Sequence, residues 1–155
     1  MKNLFPKCVA TALVLCCLIV ASVGQKRPMT VDDALNLVDV ENPRITPDGS
    51  HILFVKSVLD WKDNKYKKIP FMTSTSGGPA WQYIGDAGGS DFQFSPDGRH
   101  LAFKRKVEEK DQIFLMPTGG GEAVALTKHR SAVASFRWSP SGDRLFFSAD
   151  EARSE

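Results

Sequence analysis

The residues whose types invite chemistry in this chain are three histidines, a pair of adjacent glutamates, a small acidic cluster and a run of three glycines. His51, His100 and His129 stand 49 and 29 residues apart, whereas a zinc site draws its ligands from short, defined spacings. His51 and His100 each lie two residues after a Pro-Asp-Gly turn, a position that strand architecture explains better than catalysis. Glu108-Glu109 follows Lys104-Arg105-Lys106 and precedes Lys110-Asp111, and reads as a solvated, charge-balanced loop between two strands. Asp60, Asp63 and Asn64 offer the oxygen ligands calcium takes, but the glycine and the closing glutamate of an EF-hand loop are missing. Asp86 and Asp91 flank Gly88-Gly89 and read as turn formers. Gly119-Gly120-Gly121 lacks the Lys-Ser/Thr that completes a phosphate loop, and its flanks look like strands, so it reads as a turn. Trp81, Trp138 and the phenylalanines fall in strand patterns and read as core. No catalytic, cofactor-binding or metal-binding residue is assigned, and no cofactor is expected.

The elements that hold these residues are written in a repeat. Thr46-Pro47-Asp48-Gly49, Ser95-Pro96-Asp97-Gly98 and Ser139-Pro140-Ser141-Gly142 place their prolines 49 and 44 residues apart, the period of a propeller blade. Proline presets φ, aspartate accepts local backbone hydrogen bonds, and glycine takes the left-handed conformation that closes the turn. Pro47, Asp48, Gly49, Pro96, Asp97, Gly98, Pro140 and Gly142 are therefore the structural turn residues. Strand-like residues flank each turn. Ile52-Leu53-Phe54-Val55 and Leu101-Ala102-Phe103 are dense enough to be buried on both faces. A second hairpin follows in each repeat, through Ser76-Gly77-Gly78-Pro79 and through Thr118-Gly119-Gly120-Gly121. Each full repeat is thus four short strands, one blade. The predicted fold is all-β, an incomplete β-propeller of WD40-like, PD40-type four-stranded blades. It has about two and a half blades, with repeats starting near 47, 96 and 140. Residues 30–42 are read as helical or extended. Propellers close with about 4–8 blades, and an open one exposes an apolar face and an unpaired edge. The chain is therefore expected to be the N-terminal piece of a longer protein.

Ahead of the repeats lies a leader. Lys2 and Lys7 precede an uncharged apolar run over 8–23, and Ser22-Val23-Gly24 offers the small residues of a cleavage site. The division read is 1–24 signal peptide, 25–42 lead-in and 43–155 partial propeller. Export to the periplasm or the extracellular space is expected. The run of 16 residues is short against the roughly 20 that span a bilayer, so membrane contact is expected only if the segment stays uncleaved as an anchor. Cys8, Cys16 and Cys17 all lie in the leader, so the mature chain has neither a disulfide nor a thiol nucleophile. Losing Lys2 and Lys7 from a net charge of +2 leaves a formally neutral mature chain, which gives no electrostatic case for nucleic acid. The basic run 62–68, interrupted by Asp63 and Asn64, reads as a solvated loop, with an anionic-lipid or nucleic-acid patch as the lesser alternative.

The lead-in Thr30-Val31-Asp32-Asp33-Ala34-Leu35, continued by Val40-Glu41-Asn42-Pro43-Arg44-Ile45 and the first turn, resembles the start of exported serine peptidases of the prolyl oligopeptidase (S9) family. That family includes dipeptidyl peptidases and acylaminoacyl peptidases. The turns Gly77-Gly78 and Gly119-Gly120 and the pair Leu126-Thr127 are similar to the same group, so the resemblance runs over 29–149. It implies a propeller followed by an α/β-hydrolase domain carrying Ser, Asp and His, with the Ser in a Gly-x-Ser-x-Gly elbow. Gly89-Ser90 has no glycine two residues after the serine, so no catalytic residue carries over. Some dipeptidyl peptidases grip a substrate amino terminus with paired propeller glutamates, but Glu108-Glu109 keeps the solvated reading. The resemblance implies a non-catalytic propeller that gates peptide substrates. Peptides are the expected partners of the full-length enzyme, with other envelope proteins a further class. A Tol-Pal-type periplasmic scaffold propeller and a truncated, non-functional reading frame are the alternatives.

Overall fold

The computed structural model describes residues 27–85 and 88–151. The expected signal peptide and Asp86 lie outside the described residues. Two compact units divide the chain, Met1–Ala34 and Leu35–Glu155. In the first, Thr30 opens helix α1 (Val31–Leu35) with a reciprocal cap. The Thr30 Oγ1 accepts the Asp33 N–H at 3.2 Å, and Asp33 Oδ2 accepts the Thr30 N–H at 2.8 Å. Two orphan N–H groups of the helix start are satisfied this way. The same Asp33 carboxylate pairs with Arg27.

The second unit is all-β. Strands β1 (Asp39–Ile45), β2 (His51–Asp60), β3 (Lys65–Ser74) and β4 (Trp81–Gln82) form one antiparallel sheet in chain order. Strands β5 (Ser90–Phe94), β6 (His100–Val107), β7 (Lys110–Pro117) and β8 (Val124–Ala125) form a second. A third sheet pairs β9 (Val133–Trp138) with β10 (Leu145–Ala149). β1 opens at Asp39, inside the stretch read as a lead-in. Register confirms the repeat, because Phe54 faces Phe71 and Phe103 faces Phe114 at matching positions of the two central hairpins. Both inner strands carry a bulge at the same place. Asn42 and Asp91, at φ 51° and 53°, mark the register shifts of β1 and β5. Asn and Asp are the side chains that best tolerate this left-handed geometry.

Side-chain alternation decides how the sheets meet. Leu53, Val55, Met72 and Ile84 of the first sheet region pack against Phe92, Leu101, Phe103, Phe114 and Met116 of the second. The opposite face of the second sheet gives Ala102 and Ile113 to Val133 and Phe136 of the third. Leu101, Ala102 and Phe103 are consequently buried on both faces, as the apolar run predicted. In β2 Leu53, Val55 and Ser57 are buried on one face, while Ile52 and Phe54 are half-buried on the sheet's other side. The first sheet is sandwiched on one face, the second on two. Trp81, Phe146 and Phe147 depart from their reading as core: Trp81 is 44% exposed on the short edge strand β4, its ring edge-on to His51 at 5.7 Å, and the two phenylalanines are exposed on β10. Among the described residues no helix is long and apolar enough to cross a membrane.

Candidate functional site

The three repeated turns are built alike, around a hydroxyl. Ser95 is fully buried, and its Oγ accepts the His100 N–H at 2.9 Å and donates to Asp97 Oδ1 at 2.5 Å. Asp97 Oδ1 also accepts the Arg99 N–H at 3.0 Å, and the Gly98 N–H returns to the Ser95 carbonyl at 2.8 Å. Thr46 and Asp48 repeat this with His51, Ser50 and Gly49. In the third turn Ser141 replaces the aspartate, and Asp143 takes over, accepting from Ser139 Oγ at 2.8 Å and from Ser141 Oγ. Hydroxyl donation from Thr46, then from Ser50, holds the Asp48 carboxyl down at about 2. Asp97 is lowered first by Ser95, and Asp143 first by Ser141. The glycines take the left-handed φ their turns require, 72°, 71° and 76° at Gly49, Gly98 and Gly142.

These turns also join one sheet to the next. A Cβ on Gly98 would sit 3.8 Å from the ring of Pro47, and one on Gly142 would sit 3.3 Å from Cδ of Pro96. Gly98 and Gly142 thus each lie over the preceding turn's proline. The inner strands carry a matching polar latch. Arg44 Nε donates to the Phe92 carbonyl at 3.4 Å, and Gln93 Nε2, at the equivalent repeat position, donates to the Phe136 carbonyl at 3.0 Å. Trp138 Nε1 reaches back to the Gln93 carbonyl at 3.2 Å. A buried ammonium completes the junction of the second and third sheets. Lys104 donates to the Ala134 carbonyl at 3.1 Å and pairs with Asp91 at 2.7 Å and Asp111 at 3.8 Å, the partners a buried charge requires.

The chemically tempting residues are dispersed. His51 Nδ1 lies 2.6 Å from Ser50 Oγ, which bonds Asp48 Oδ2 at 2.7 Å. The serine stands between the other two, so its proton goes to the carboxylate and the imidazole turns an N–H toward it. That is the wrong order for a base-activated nucleophile. His129 Nδ1 lies 3.2 Å from the Ser131 N–H. Glu108 and Glu109 form the two-residue turn of the β6–β7 hairpin, at φ 48° and 63°, with Glu109 on Lys106 at 3.4 Å. Asp60 caps the β2–β3 turn through the Lys62 N–H at 3.0 Å and pairs with Lys67. Asp91 sits in the β5 bulge on Lys104, and Gly119, Gly120 and Gly121 lie between two strands. Among the described residues no group of three or more His, Cys, Asp or Glu could hold a metal ion.

Sequence reasoning missed the buried hydroxyls, although Thr or Ser before every turn proline was the available signal. It also gave Gly89 no role of its own. A Cβ there would lie 2.6 Å from Phe103 Cδ2, so this glycine is required by a close approach to the core. Nothing in the local pattern signals that.

No protein-family model matches the chain. The chain is 35% identical over 123 residues to the uncharacterized peptidase YuxL of Bacillus subtilis strain 168, a match covering 77% of the chain. The chain spans about a fifth of that relative's length, 19%. Its fold is similar to that of an acylaminoacyl peptidase of Pyrococcus horikoshii, with a TM-score of 0.62 and 22% identity, over 77% of the chain and 19% of that protein. It is also similar to the β-propeller domain of the Trilobed protease from Pyrococcus furiosus, with a TM-score of 0.54 and 19% identity, over 71% of the chain and 33% of that domain. Stacked four-stranded sheets, turn repeats and a sequence match to a peptidase converge: the chain matches the N-terminal β-propeller part of a prolyl oligopeptidase (S9) family peptidase.

Proposed function

We propose that this segment is the non-catalytic gate of an exported serine peptidase, admitting short or unfolded peptides to a C-terminal α/β-hydrolase domain. The three sheets are its first blades, two complete and one begun. The observation that carries the reading is the two-point junction between successive sheets. Proline-on-glycine turn stacking and the inner-strand latches line up β1, β5 and β9 side by side, as a propeller wall requires. Sequence identity to a peptidase supplies the chemistry on which such a wall would act. The apolar run behind Lys2 and Lys7 supports export to the periplasm or the extracellular space.

The test is size selection by the full-length protein. It should hydrolyse short peptides at least about tenfold faster than the same cleavable sequence displayed in a folded protein, a difference of ~1.4 kcal/mol in barrier. Arg44→Ala, which removes the latch to Phe92, should narrow that ratio by accelerating the larger substrate. Cleavage independent of substrate size would reject the gate.

A further inference from the structure

The two complete sheets each form a cleft where the fourth strand leaves the third. One, of about 330 Å³, is lined by Lys67, Lys68, Ile69 and Gly85. The other, of about 350 Å³, includes Lys110, Gln112 and Lys128 in its lining. The strand registers make these positions equivalent. Phe71 faces Gln82 as Phe114 faces Ala125, so Lys67 corresponds to Lys110, Ile69 to Gln112 and Gly85 to Lys128. Blade architecture therefore explains that a cleft exists. It does not explain the difference in charge. In the first cleft both lysines are neutralised in place, Lys67 by Asp60 and Lys68 by Glu41 at 2.8 Å. In the second, Lys110, Lys128 and Arg130 line the wall, and none has an ion-pair partner among the described residues. Glu108 is the lone carboxylate on that wall, which leaves a local excess of two positive charges.

The wall is also held rigid. Gln112 is 4% exposed, and both ends of its amide are used. Its Oε1 accepts from the His129 N–H at 2.8 Å and from Thr127 Oγ1 at 2.9 Å, while its Nε2 donates to the His129 carbonyl at 3.1 Å. Thr127 Oγ1 in turn accepts the Ile113 N–H at 2.9 Å. The backbone that carries Lys128 and Arg130 is thus clamped to β7 before any ligand arrives, which lowers the ordering cost of binding. The volume falls in the range of ligand clefts, and convergent unpaired cations on a fixed backbone suit an oxyanion.

We infer that this cleft, between the β6–β7 hairpin and residues 127–131, binds a carboxylate of a peptide. The assignment to a peptide rests on the peptidase reading above; the anion site itself rests on the geometry.

Titration calorimetry on the full-length protein, after treatment with an active-site serine reagent, tests it. Three forms of one hexapeptide are compared: a single glutamate with an amidated C-terminus, a free C-terminus with no acidic side chain, and a form with neither carboxylate. At least one carboxylate form should bind roughly tenfold more tightly than the uncharged form, the worth of two partly screened ion pairs. Whichever form binds identifies a side-chain or a terminal carboxylate. Lys128→Glu with Arg130→Glu should abolish the preference, as should Lys128→Gln with Arg130→Gln. Lys62→Glu on the β2–β3 turn should leave it within about twofold, and raised salt should weaken it. No preference in the unmodified protein, a preference untouched by either double variant, or an equal loss in Lys62→Glu would overturn the inference. If the peptidase reading alone is wrong, the serine reagent leaves the protein unlabelled while the carboxylate preference persists.

Discussion

Ser95, Thr46 and Ser139 each bury a hydroxyl that serves the backbone of the strand after the turn. Replacing Ser95 with alanine strands the His100 N–H and removes a donor from Asp97. This should cost about 1–2 kcal/mol, read as a lower urea midpoint by tryptophan fluorescence. The aspartates of these turns also set an acid dependence. Asp48 titrates at about 2, and Asp97 and Asp143 are lowered from their ordinary values. A carboxyl whose folded value is depressed stabilises the fold above its unfolded value, near 3.9, and loses that contribution as pH falls through the folded one. The urea midpoint should therefore drop between about pH 4 and pH 2, and Asp48→Asn with Asp97→Asn should flatten the drop. At this scale the turn prolines, aspartates and glycines were legible in the sequence, because turn chemistry is local. The Thr or Ser before each proline also carried the signal for the hydroxyl bonds, which reach only five residues on; the need for glycine at 89 was not legible, because Phe103 across the sheet sets it.

Whole sheets follow the alternation of their strands, and their junctions follow the turns. Gly49→Ala and Gly142→Ala both force a side chain into left-handed backbone, at about 1–2 kcal/mol. Gly142→Ala must in addition push against Pro96, whereas no heavy atom lies within 4 Å of a Cβ on Gly49. Gly142→Ala should therefore be the more destabilising of the two in urea unfolding; the reverse order would remove the stacked-turn junction. Phe103 is fully buried, 5.6 Å from the Phe92 ring and stacked on Phe114 at 6.1 Å. Phe103→Ala should cost about 3–5 kcal/mol, while Phe146→Ala, 61% exposed on β10, should change stability by under about 0.5 kcal/mol. The four-strand repeat and the double burial of β6 were readable from the apolar runs. That β2 buries only one face was not, because Ile52-Leu53-Phe54-Val55 is as apolar a run as Leu101-Ala102-Phe103, and burial of the second face depends on a neighbouring sheet. The exposure of Trp81 escaped for a related reason: β4 is two residues long, and an edge strand carries the same pattern as a central one.

For the molecule as a whole, the repeat period pointed to a propeller, and its turns, with the lead-in before them, pointed to a family. The comparisons agree on both. The positively charged cleft was illegible in the sequence. Lys110, Lys128 and Arg130 are up to 20 residues apart in the chain, and only the fold sets them beside Gln112 in one cleft. The central claim is that this segment belongs to a serine peptidase without supplying its nucleophile. An active-site serine probe applied to the full-length protein, followed by peptide mapping, tests that most directly. The account predicts one labelled serine outside residues 27–151, with loss of peptidase activity on labelling. Stoichiometric label on a serine within that segment would contradict it.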